Sequence, residues 1–215
     1  MINRRSVLLG SSLLSFVFVP KIVGAQNSPI NPTYARKIIF SKKPLDSRSV
    51  DPAALTTEFT SRDNIYGIAY FDRPIKELLA VDPNLYVFGN GRDPITGNIQ
   101  DVLADGDSFR SLFKRDPSWM DATLIYLDIS PMITDRRIFP LFAAYTETTI
   151  ARLCNLLPSS KYKLSLAMSV KSYMQPNSNE LVEHSSGPLN ITLSKSDYTY
   201  HEKQSKTFAF RYFGN

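Results

Sequence analysis

The sequence predicts a mainly β fold: an antiparallel β-sandwich, immunoglobulin-like or jelly-roll-like, with one or two short helices in its connections. Three observations carry that expectation. Apolar runs of strand length recur between turn-forming residues, as in all-β domains. From Tyr162 to Lys171 apolar side chains alternate with lysine, serine and alanine, the two-residue period of a strand with one buried face. Strands do not alternate regularly with helical patterns, which argues against a doubly wound parallel sheet.

The elements follow in order. "ARKIIFSK", Ala35 to Lys42, reads as a first strand, and the polar stretch from Pro44 to Leu55 as turns. "NIYGIAYFD", Asn64 to Asp72, is apolar on both faces, so it belongs at the centre of a sheet or under cover on both sides. Pro74 ends it. Asn84 to Gly89 is a short strand, and Asp121 to Ser130 is again apolar on both faces. Arg137 to Pro158 is the best helical stretch, with Pro140 in its first turn and Pro158 as its stop. After the strand at Tyr162 come "PLNITLS", with Leu189, Ile191 and Leu193 on one face, and "KTFAFRYF", with Phe208, Phe210 and Tyr212 sharing another. Ser186-Gly187-Pro188 predicts an edge or a bulge, because proline donates nothing to a ladder.

The first 25 residues read as a cleavable signal peptide rather than as part of the fold. Arg4 and Arg5 precede an apolar run from Val7 to Val19, Pro20 breaks it, and small residues lead to a cleavage point after Ala25. The run is too short for a span, which needs about 20 residues, so no permanent membrane anchor is expected. "NRRSVLL" resembles the motif of twin-arginine export signals, with Arg4 and Arg5 as the pair. Val7 and Asn3 depart from that pattern, and an ordinary Sec signal is the alternative. Either route implies an exported bacterial protein, periplasmic or extracellular, with residues 26–215 as one sandwich domain.

Removing the signal changes the charge. The chain carries 25 basic and 20 acidic residues, a net +5, but Arg4, Arg5 and Lys21 belong to the signal. The remainder is nearly balanced and has no clustered basic excess, so no nucleic-acid partner is expected. A single cysteine, Cys154, permits no internal disulfide and reads as a buried apolar side chain.

The stretch from Gly89 to Ser108 concentrates polar candidates: Asn90, Asp93, Asp101, Asp105 and Asp107. Such oxygens suit calcium. EF-hand spacing fails, however: with Asp101 first, Leu103 takes the third position and Leu112 the last. Turns explain the same residues. Asn90-Gly91 is a hairpin dipeptide, and Asp93-Pro94 and Asp105-Gly106 are turn formers. These residues are therefore expected on a loop at a sandwich end, where it can contact a partner. No cofactor is expected, with calcium on this loop as the one alternative, and no metal ligands are assigned.

No catalytic residues are assigned. His184 and His201 are the only histidines, lack metal-ligand spacing, and are expected on exposed strands or turns. The chain carries no Gly-x-Ser-x-Gly elbow and no phosphate loop. Tyr198 and Tyr200 read as core residues sharing one strand face. Trp119, among Asp116, Pro117, Ser118 and Asp121, reads as an exposed contact aromatic. The function expected is that of an exported, non-catalytic protein binding a protein or glycan partner in the bacterial envelope or outside the cell. The alternatives are a secreted hydrolase with a carboxylate-based site and an envelope component that self-assembles through an edge strand.

Overall fold

The structure, a computed structural model, describes residues 29–79, 85–92, 99–105, 113–127, 150–157, 159–174 and 180–213. The signal segment with Arg4, Arg5 and Ala25, the loop residues Asp93 and Asp107, and residues 137–149 of the expected helix lie outside them. The fold is mainly β, with two sheets and several helical segments.

One sheet has three antiparallel strands in the order β1 (Ile38–Ser41), β3 (Tyr66–Tyr70), β6 (Leu124–Tyr126). The other has five, in the order β2 (Glu58–Thr60), β8 (Leu181–Ser194), β7 (Lys161–Tyr173), β4 (Tyr86–Arg92), β5 (Ile99–Asp105). An all-antiparallel fold is not what forms: β2 runs parallel to β8. A parallel pair needs a long return path, and here the chain builds most of both sheets between the two strands.

The burial patterns follow the residue patterns. β3 is buried at all five positions, as its two apolar faces demand. Along β7, Leu164, Leu166, Met168 and Val170 are buried while Lys163, Ser165 and Ala167 are exposed. Leu189, Ile191 and Leu193 of β8 complete that face. Side chains of both sheets, including Phe40, Ile68, Val87, Met168 and Ile191, join one buried cluster with Trp119 and Cys154.

The sheets meet where β1 crosses β8. The Ser186 amide donates to the Arg36 carbonyl at 3.1 Å, and Lys37 bridges Ser186. Gly187 lies so close that a Cβ there would collide with the Ile38 carbonyl oxygen. Pro188 follows at the point where β8 leaves β1 and before its ladder with β2 begins at Asn190, so its missing N–H falls between two pairings.

The C-terminal strand is a helix instead. Residues Tyr198–Phe213 form α2, a helix of 16 residues; α1 is the short turn Ile75–Leu78, and residues 150–156 are also helical. Alternation of Phe208, Phe210 and Tyr212 is too short a run to decide between periods. The preceding sequence decides it: Asp197 in a 3-10 turn launches the helix, and Glu202 pairs with Lys206 one turn on, at 3.1 Å. Tyr198 and Tyr200 accordingly lie in the first turn of a helix, and His201 beside them is buried rather than exposed. Among the described residues no helix is long and apolar enough to cross a membrane.

Candidate functional site

The expected contact aromatic is not at the surface. Trp119 is fully buried and meets Tyr126 edge to face, with ring centroids 6.2 Å apart. Its polar neighbours do lie outside, but they build a 3-10 turn, Pro117–Asp121, which Asp116 caps by accepting from the Ser118 amide at 3.2 Å. That turn throws the Trp119 ring inward, with Met120 partly buried beside the core.

The glycine-rich stretch is also arranged differently. Asn90-Gly91 is not a turn; both residues lie within β4. Asn90 is half-buried, opposite Asp101 of β5 on one side and Ala167 of β7 on the other. Asp105 lies opposite Val87. The loop candidates Asn90, Asp101 and Asp105 are thus strand residues, and the connection between β4 and β5 is residues 93–98, outside the described set. Among the described residues no group of three or more His, Cys, Asp or Glu side chains is placed to hold a metal ion.

A cleft that the sequence did not single out lies instead around His184. Opposite Val170 and Lys171 of β7 stand Ser185 and Glu183 of β8, so His184 is the additional residue of a β-bulge. Bulges re-aim side chains and gather next to functional sites. Here the His184 Nε2 lies 2.7 Å from the hydroxyl of Ser172, which is itself buried and 3.5 Å from the Leu78 carbonyl. The segment leaving β3 supplies Asp72 and Arg73 to the lining, and α1 supplies Glu77 and Leu78. Arg36, just before β1, and Val182 and Glu183 beside His184 complete a cavity of about 160 Å³.

Arg36 is held there under strain. Its φ of 63° is the one positive value at a non-glycine among the described residues. That region costs a side-chain-bearing residue on the order of 1–3 kcal/mol. Two strands enforce it: the Arg36 amide donates to Tyr70 at 3.0 Å, and its carbonyl accepts from Ser186 at 3.1 Å. The guanidinium Nη2 then donates to the Glu183 carbonyl at 3.2 Å, at the edge of the bulge. In the same lining, Arg73 Nε pairs with Asp72 Oδ1 at 3.1 Å.

The charges of the cleft follow. The hydrogen bond from Arg73 holds the Asp72 carboxyl below its ordinary 3.8, against the effect of burial. Burial pushes His184 below its ordinary 6.5; Asp72 pulls the other way, and Arg73 and Arg36 add to the lowering. At neutral pH the ring is therefore neutral. The Ser172 hydroxyl that meets the imidazole is 2% exposed. The cleft is lined mainly by charged and polar side chains.

A second polar cluster is structural. Asp197 accepts from Ser61 at 2.6 Å and from Arg62 Nε at 2.7 Å, and Arg62 lies over the Tyr200 ring at 4.6 Å. It fastens the start of α2 to the turn after β2.

Sequence adjacency of Glu183 and His184 carries no signal, because strand neighbours point apart. The bulge, and the distance along the chain from Arg36 and Asp72 to His184, hid this site. No protein-family model matches the chain, nor does any curated protein or solved structure.

Proposed function

We propose that this chain is an exported, non-catalytic binding protein of the bacterial envelope or exterior, its two sheets forming the layers of a sandwich, and that it contacts a protein or glycan partner at the His184 cleft. Export is supported by the Arg4-Arg5 pair, the apolar run and the small residues before Ala25. Binding is supported above all by the strained Arg36, whose guanidinium is carried into the mouth of a preformed polar cavity by hydrogen bonds from both sheets. A carboxylate hydrolase fits less well. Arg73 keeps Asp72 ionised, so it is unsuited to the general-acid role such chemistry requires.

The test is cross-linking and affinity capture from native envelope fractions with three forms of the chain. Wild type and Glu58→Ala, a change on the edge strand β2 opposite Asn190, six residues along β8 from His184, should recover the same partner, and Arg73→Ala should lose most of it. Equal recovery by all three would remove the cleft as the contact site, and no reproducible partner would remove the binding function.

A further inference from the structure

Resting on that reading, we infer that the cleft recognises a single carboxylate, an acidic side chain or a chain-terminal carboxylate presented by a protein partner. Arg36 spends one donor on the Glu183 carbonyl and Arg73 one on Asp72, and each guanidinium has five. Both side chains line the one cavity with donors left over, and a planar fork matches a carboxylate with two parallel hydrogen bonds.

The rest of the lining narrows the ligand. Asp72 is neutralised by Arg73, while Glu77 and Glu183 stand exposed. Carboxylates at this density repel a polyanion such as a sulfated glycan, whereas one carboxylate between two guanidinium groups is tolerated. A cavity of about 160 Å³, open to solvent, has room for the end of a side chain. Among the described residues no aromatic ring lines it, whereas Leu78 and Val182 suit an aliphatic stem. These features favour a peptide carboxylate over an acidic sugar.

His184 makes the binding pH-dependent. The groups around it are Ser172 of β7, Arg36 before β1, Asp72 and Arg73 after β3, Glu77 of α1 and its neighbour Glu183. An incoming carboxylate adds negative charge beside the ring and favours its protonated form, so binding takes up a proton and tightens as pH falls, until the ligand carboxylate itself titrates.

The experiment titrates the full chain, followed by chemical shifts, with a capped alanyl-leucyl-glutamyl peptide, its glutaminyl counterpart, glucuronate and sulfate. The glutamyl peptide is expected to shift residues of the cleft, the glutaminyl peptide at least about tenfold less, and affinity to rise about threefold from roughly pH 7.5 to 6. His184→Gln should bind without that rise. Arg36→Gly is the decisive variant, because glycine accepts the positive φ without strain. It should keep or raise the melting temperature and lose the peptide about tenfold or more. Unchanged affinity in Arg36→Gly, or equal binding of both peptides, overturns the inference. Tighter binding of glucuronate would assign the cleft to a glycan, and of sulfate to a polyanion; either rejects it. If the chain captures a partner from the envelope yet fails these titrations, the proposed function stands and the carboxylate alone is wrong.

Discussion

The Ser61 hydroxyl donates a 2.6 Å hydrogen bond to Asp197, joining residues 136 positions apart and fastening α2 to the five-stranded sheet. Arg62 adds a second contact to the same carboxylate at 2.7 Å. Asp197→Ala removes the acceptor of both and should cost about 1–3 kcal/mol in urea unfolding, with the upper end trimmed because the Arg62 side chain is solvated. A loss below about 0.5 kcal/mol would mean that α2 is held by other contacts.

Acid should weaken the protein in two stages. His184 is held below 6.5, so the unfolded chain binds its proton first as pH falls, and stability declines from near that value downward. Burial pushes the Asp63 and Asp197 carboxyls up, but hydrogen bonds outweigh it and hold both below 3.8, Asp63 through Lys42 and Thr60 and Asp197 through Ser61 and Arg62. Their stabilisation is complete above the ordinary carboxylate range and is lost as pH falls through it. Melting curves across pH should show both declines, with His184→Gln removing the first and Asp197→Asn reducing the second. A flat profile between neutrality and the carboxylate range would contradict the state assigned to His184.

Trp119→Ala should act on stability and not on a contact surface. The ring is buried against Tyr126, and its truncation leaves a cavity costing about 3–5 kcal/mol. As Trp119 is the only tryptophan, its fluorescence in the native protein should be blue-shifted and should move red on unfolding. Native emission at the wavelength of free tryptophan would put the ring in water and reject this packing.

Gly187→Ala should be among the most damaging small changes. The added methyl would strike the Ile38 carbonyl oxygen, a backbone atom that yields only if β1 moves away from β8. A loss of about 1–3 kcal/mol or more is expected by thermal or urea unfolding, and a near-neutral effect would show slack at the crossing.

Calcium should leave the melting temperature unchanged within about a degree, since a ligand stabilises only by binding the native state. Asp101 and Asp105 lie along a strand rather than converging on a turn. A rise of several degrees at millimolar calcium would place a cation site on this chain and reopen the loop reading.

Much of the fold was legible where burial acts on short periods. Two apolar faces placed β3 inside, and alternation placed Leu164, Leu166, Met168 and Val170 inward along β7. Polar neighbours surround Trp119, but a 3-10 turn redirects side chains by about a third of a circle per residue, so those neighbours say little about the residue between them. The alternation of Phe208, Phe210 and Tyr212 is too short a run to exclude the helix that forms. Asn90-Gly91 has the composition of a turn yet lies in β4, because pairing on both sides overrode local preference.

The sequence by itself determined the strands whose burial is plain in their period, β3 with two apolar faces and the inward rows of β7 and β8, and that stability must come from burial without an internal disulfide, because period and composition are local. Only the tertiary structure decided the site. Arg36, Asp72, Arg73 and His184 meet because β1 crosses β8 at a glycine and β8 bulges at one residue. Those are contacts between distant parts of the chain, set by how two sheets exclude water together.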